Sequence, residues 1–210
     1  MADDMSNGWN RRDMLGGAAL LALVLGVPLS TAHFSALSQD DAPSPEQRAL
    51  LREVSQLVIP RTQTAGAGDV GVGDFVALAL AHGLEKSRTP LPADAPAGFQ
   101  KYRRRDGSLN HLDWLEAELD RRAGGSYLKQ PVTQRVAALT ALDAEAYAPE
   151  VRDHPWRTLK ALILTGYYTS EVGGAQELRF ELVPGRFDPD VPLRPEDRAF
   201  SSDWTAVDFG

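Results

Sequence analysis

Gly66, Gly68 and Gly71 stand in the spacing G-x-G-x-x-G, which in a nucleotide-binding protein brings backbone amides and a helix N-terminus onto a pyrophosphate. That chemistry needs a strand entering the turn and a helix opening on its last glycine. Here a helix-patterned segment ending at Ile59 and Pro60 precedes the glycines, and Gly73 prolongs the run, so a flexible helix-to-helix turn is expected. The four histidines, His33, His82, His111 and His154, are scattered, and none belongs to an H-E-x-x-H or similar ligand-dense pattern. His111 and Asp113 lie two apart in a helical pattern, so their side chains diverge. No G-x-S-x-G elbow is present, although a Ser-His-Asp set or a carboxylate pair assembled from distant positions leaves no local mark. With zero cysteines the chain has no thiolate for metals or iron–sulfur clusters, no c-type haem attachment, no Cys nucleophile and no disulfide. No catalytic, cofactor-binding or metal-ligating residue is nominated.

Charge narrows the partners. The chain of 210 residues has a formal charge of -7, so a sequence-independent grip on phosphates or an anionic membrane would need a local basic patch. Lys101, Arg103, Arg104 and Arg105, with Tyr102 among them, form the one such cluster. It precedes an acidic helical pattern, which favours a solvated turn or a protein contact over nucleic acid.

The N-terminus reads as an address. Asn10, Arg11, Arg12, Asp13, Met14 and Leu15 lead into an uncharged stretch from Gly16 to about Ser30, the pattern of a twin-arginine leader whose key residues are Arg11, Arg12 and Leu15. The apolar run is about 15 residues long and is broken by Gly26 and Pro28. A membrane span needs about 20. Cleavage is expected near Ala32 or Ala36, giving a leader over 1–36, a linker over 37–45 and one domain over 46–210. The twin-arginine route carries folded proteins, mainly those that take up a cofactor first, yet no cofactor site is legible. Either a site is hidden from sequence reading, or the leader serves a bound partner that holds the cofactor.

The elements that must position any site are mostly helical. Ser44, Pro45 and Gln47 supply an N-cap, a first-turn proline and a capping-box partner, opening a helix whose apolar residues Leu50, Val54, Leu57 and Val58 run to Ile59 and Pro60. A second helix is predicted from Val72 toward Leu84, ended by Gly83 or the polar stretch after it. An irregular connection follows over residues 85–98, which hold three prolines. Asp106, Gly107 and Ser108 are expected to start a third helix, with Leu109, Leu112, Leu115 and Leu119 inside and Gly124 and Gly125 at its end. A fourth spans about Val132–Leu142, and a fifth about Trp156–Tyr168, where Leu159, Leu162, Ile163 and Tyr167 share a face. Glu177 to Val183 alternates as a strand, and the proline-containing tail from Pro184 to Gly210 is expected to wrap a surface. The fold class is therefore mainly α: an irregular domain of about five helices with a short C-terminal strand and an extended tail.

The late segment carries the most specific pattern: Tyr167-Tyr168-Thr169-Ser170-Glu171-Val172-Gly173, then Gln176-Glu177-Leu178-Arg179-Phe180, then Val183-Pro184-Gly185. With Ile59-Pro60-x-Thr62-x-Thr64-Ala65-Gly66-Ala67 it resembles the gluconate 2-dehydrogenase subunit 3 family, from Arg11 to about Leu193. Gln63 and Ala65 replace an Asp and a Pro of that pattern. The resemblance implies a small subunit without a cofactor of its own, bound to a large FAD-containing flavoprotein of the glucose-methanol-choline type. That flavoprotein oxidises a sugar, sugar acid or polyol and passes electrons to a cytochrome or quinone. The small subunit would assist the partner's maturation and carry it to the periplasm, touching the membrane only peripherally or through an uncleaved leader.

One departure matters. The family pattern often places a Cys shortly after V-P-G, whereas this chain has Arg186-Phe187-Asp188-Pro189-Asp190, so association must rest on apolar and aromatic anchors with a polar rim. Trp156, Tyr167, Tyr168, Phe180 and Phe187 are candidates, of which Trp156 and Tyr167 fit an ordinary core. Tyr168, Glu171, Val183, Pro184, Gly185 and Phe187 are the expected partner-facing residues. A self-sufficient periplasmic enzyme and a general scaffold or binding module are the alternatives.

Overall fold

The computed structural model describes residues 37–38, 41–180, 192, 194 and 197–201. Helix α1 (Pro45–Val58) starts at the capping box: Ser44 Oγ accepts from the Gln47 amide at 3.1 Å, and Gln47 Oε1 accepts from the Ser44 amide at 3.1 Å. Its inner face buries Leu50, Leu51 and Val54, each worth about 1.5–3 kcal/mol removed from water. Helix α2 (Val72–Ala81) is sheathed by protein, with eight of its ten residues buried. Its close seat on α1 depends on glycine, since a Cβ at Gly73 would lie 2.8 Å from the Arg52 backbone nitrogen. The helix stops at His82, before Gly83 at φ 80°.

A long excursion follows, holding a 3₁₀ turn (Leu84–Lys86) and the single-turn helix α3 (Ala97–Gln100). Helix α4 (His111–Ala123), a 3₁₀ turn (Tyr127–Lys129), α5 (Val132–Ala146) and α6 (Pro155–Tyr168) complete the body. The chain after α6 folds into a π-helical turn (Val172–Glu177), then strand β1 (Arg179–Phe180), which pairs in parallel with β2 (Phe200–Ser201). One core runs through the helices, and Trp156, Tyr127, Tyr167 and Leu142 are among its fully buried side chains.

The architecture is mainly helical, as the pattern predicts, with differences that have local causes. The third predicted helix starts later, at His111 rather than Asp106–Ser108. Asp106 instead accepts from the Ser108 amide at 2.9 Å, and Ser108 and Leu109 bridge to Pro90 and Arg103. Asn110 takes over as cap, accepting from the Asp113 amide at 3.4 Å. Residues 85–98, expected to be irregular, contain the start of α3. α5 runs one turn past Leu142 because Ala146 still reaches the core.

Glu177 lies in the π turn rather than in a strand, because the Leu178 amide bonds back to the Gly173 carbonyl at 3.1 Å. Of the predicted strand only Arg179–Phe180 falls in one, and residues 181–183 lie outside the described residues. The basic cluster is not a uniformly solvated turn: the Arg104 side chain is 10% exposed and is paired, with Arg88, to Asp41. The linker is thereby fastened to the body. Burial pushes the Asp41 carboxyl up, but the Ser38 hydroxyl and the two guanidiniums outweigh it and hold it below the usual range.

Candidate functional site

The two patterned segments, about a hundred residues apart in sequence, meet at the C-terminal end of α6. Tyr167 is buried to 1% exposure, and its hydroxyl donates to the Ala65 carbonyl at 2.9 Å. Thr64 Oγ1 donates to Glu177 Oε2 and lies 3.5 Å from the Tyr167 hydroxyl. The threonine-rich turn after α1 is thus tied both to the last turn of α6 and to the π turn beyond it. Both hydroxyl donors are spent on a carboxylate and a carbonyl, so the cluster works as a fastening between distant segments.

The remaining residues of the late segment shape the turn itself. Ser170 Oγ donates to the Tyr167 carbonyl at 2.7 Å and accepts from the Gly173 amide at 3.1 Å, satisfying a carbonyl left over at the helix end. Gly173 sits so close to α6 that an added Cβ would lie 2.1 Å from the Tyr167 carbonyl oxygen, which excludes any side chain there. Arg198 reaches back from the tail and donates to the carbonyls of Gln176, Glu177 and Leu178. The result is a rigid knob at the end of α6, held by Thr64 on one side and Arg198 on the other.

Tyr168 and Glu171 are on this knob. Tyr168 is 38% exposed, stacked edge-on against Tyr167 with ring centroids 5.2 Å apart, and Glu171 is exposed. Burial, then the nearby Glu177 carboxylate and Tyr167, push the Tyr168 phenol upward. Arg11, Arg12, Leu15, Val183, Pro184, Gly185 and Phe187 lie outside the described residues. Thr64 and Glu177 belong to the quoted segments, but sequence reasoning gave neither a role. Nothing in their spacing says that they touch.

The glycine run has a different geometry from a nucleotide loop. It joins α1 to α2 rather than a strand to a helix, and added Cβ atoms at Gly66 and Gly68 would lie 2.5 and 2.6 Å from atoms of α1. A cleft of about 350 Å³ beside it is lined by Arg48, Arg52, Gly71 and Asp74 among others, and Arg48 is engaged in a two-pronged pair with Asp74 at 3.0 Å. These residues do not fit a dinucleotide. Among the described residues no group of three or more histidine or carboxylate side chains is placed to hold a metal ion, and no helix is long and apolar enough to cross a membrane.

Fold and knob together define a small helical protein whose patterned residues build a surface feature instead of lining a pocket. The family model for gluconate 2-dehydrogenase subunit 3 matches residues 45–185, and the chain belongs to that family. It is therefore a member of a family of dehydrogenase-complex subunits. No curated protein and no solved structure matches it significantly.

Proposed function

We propose that this chain is the non-catalytic small subunit of a flavin-dependent sugar, sugar-acid or polyol dehydrogenase, which it helps to mature and carries through the twin-arginine route to the periplasm. The observation that supports this most is the family match over residues 45–185, in which the two patterned segments are spent on a fastened surface knob. In this reading a large glucose-methanol-choline flavoprotein holds the FAD and performs hydride transfer to it, and a cytochrome or quinone accepts the electrons. The knob residues Tyr168 and Glu171, with Val183, Pro184, Gly185 and Phe187, face that partner. Arg11, Arg12 and Leu15 supply the export signal for both chains. A folded, flavin-loaded passenger accounts for a twin-arginine leader on a chain with no legible cofactor site.

The test is co-expression of the flavoprotein subunit with the full chain, intact or with Arg11 and Arg12 both changed to Lys. The expected result is loss of periplasmic dye-linked sugar oxidation, with folded flavoprotein accumulating in the cytoplasm. Unchanged periplasmic activity would sink the carrier role.

A further inference from the structure

All five of the large hydrophobic side chains that stand exposed among the described residues lie on the α5–α6 hairpin: Val132 at 55%, Val136 at 42%, Tyr147 at 47%, Leu164 at 37% and Tyr168 at 38%. Helix α5 keeps its charges at the flanks of its outer face, where an ordinary surface helix carries them along the middle. Helix α5 has three charged residues, and each is bonded to a neighbouring helix. Arg135 pairs with Glu53 of α1 at 2.8 Å, Asp143 with Lys160 of α6 at 2.7 Å, and Glu145 with Arg122 of α4. Asp143 also accepts from the Trp156 indole at 2.6 Å, and Gln134 donates to the Ala123 carbonyl at 2.7 Å. The outward positions that remain are Thr133, Val136, Ala137, Thr140, Ala141 and Ala144, all exposed and uncharged. They recur every three to four residues and so form one strip.

We infer that this hairpin face is the centre of the surface on which the dehydrogenase's large flavoprotein subunit docks, an inference that rests on the proposed function. Interface centres are depleted of charge and enclosed by a polar rim. Here Lys160 and Arg157 stand 4.7 and 4.8 Å from the Tyr147 ring and mark that rim at one end, while the Tyr168 knob continues the face at the other.

Side-chain size selects the occupant. Between Val136 and Tyr147 the strip on α5 is only alanine and threonine, so two copies set face to face on α5 would bring little bulk to its middle. A lipid surface calls for a polar side rich in Lys and Arg, whereas α5 carries one Arg, paired with Glu53, beside Asp143 and Glu145. The flat strip suits a partner that supplies large apolar or aromatic side chains of its own.

Area points the same way. Fifteen residues make α5 about 22 Å long, and two helices some 10 Å apart present roughly 400 Å², about half of what each side of a stable interface buries. The remaining area must be continuous with the hairpin, and the knob at Ser170–Glu177 is.

The experiment measures binding of the full chain to the purified flavoprotein subunit, comparing wild type with Ala141→Glu, Val136→Glu and Tyr168→Glu, with thermal melting of each chain alone. Ala141→Glu and Val136→Glu are expected to weaken binding roughly 30-fold or more with melting unchanged, because an unpaired carboxylate is trapped at the interface centre. Wild-type-like binding by both α5 variants, with Tyr168→Glu impaired, overturns the hairpin face and leaves the small-subunit reading standing. A concentration-dependent dimer of the chain alone that Ala141→Glu dissolves makes a second copy the occupant and overturns the inference. Failure of the wild-type chain to bind the flavoprotein overturns both readings together.

Discussion

Neither α2 nor α5 has a charged stripe along the middle of its outer face, yet α2 buries eight of its ten residues and α5 four of its fifteen. The difference comes from what surrounds them. α2 lies between α1 and α6, with Gly73 letting the α1 backbone approach and Gly166 of α6 standing against the Phe75 ring. α5 rests on α4 and α6 through Ala138, Leu139, Leu142 and Ala146, and sends its charges sideways, Glu145 to α4, Asp143 to α6 and Arg135 to α1. A helix without an outward charged stripe fits best against other protein. For α2 the chain itself supplies it, and for α5 the proposed complex does.

The largest expected effect comes from making one substitution in both helices. Ala79 of α2 is 0% exposed, so Ala79→Glu buries a carboxylate with no partner and should cost about 5 kcal/mol or unfold the chain outright. Ala141→Glu points into solvent and should move stability by no more than about 0.5 kcal/mol. Urea unfolding of the isolated chain measures both. A comparable loss in the two variants would break the contrast, because it would mean that the α5 face is already covered within the chain.

Much of this contrast was half-legible in the sequence. The capping box at Ser44 and Gln47, the inward face of α6 and the helix-to-helix nature of the glycine run all depend on neighbours within a few residues, and all appear as expected. Periodicity also finds the inner face of α5. It does not show that Arg135, Asp143 and Glu145 are each taken up by other helices, although the uncharged run from Val136 to Leu142 was a signal that could have been read. The tie from Thr64 to Glu177 spans 113 positions and the clasp from Asp41 to Arg104 spans 63, distances over which side-chain spacing carries no information. Asp106 looked like a helix start because Asx turns and N-caps use the same residue types. The short alternation after Glu177 is too brief to separate a strand from a π turn.

A second, smaller effect separates the buried side of the molecule from the bare hairpin by acid. His111 is 7% exposed, its Nδ1 is 3.1 Å from the Leu109 carbonyl, and burial, reinforced by the charges of Arg104 and Arg88, lowers its pKa from 6.5 to about 4. The folded pKa lies below the unfolded one, so the unfolded chain binds more protons in this window. Stability is full above pH 6.5 and falls as pH drops toward 4, by about 3 kcal/mol if His111 acts alone. His154 is shifted the same way, mainly by burial, and adds to the slope. Changing His111 to Gln should remove most of the slope between pH 6.5 and 5, measured as urea midpoint against pH, even if the variant is less stable throughout. An unchanged slope would place the acid sensitivity elsewhere.

The smallest effect tests where the bare surface ends. Tyr168 stands at the junction of hairpin and knob, and its phenol is already raised by partial burial, by the Glu177 charge and by Tyr167. Glu177→Gln removes the second cause while keeping an oxygen for Thr64 to donate to, so the Tyr168 pKa should fall toward its ordinary value without reaching it. Docking of the flavoprotein should act in the opposite sense, because covering the ring withdraws water from the phenolate. Ring-labelled tyrosine followed by NMR resolves both changes, and Tyr127, pushed up to about 12 chiefly by burial, serves as an internal reference. A Tyr168 titration that responds to Glu177→Gln but not to the flavoprotein would put the knob outside the contact. The interface would then have to draw its remaining area from the Tyr147 end of the hairpin, where Arg157 and Lys160 already frame an exposed ring.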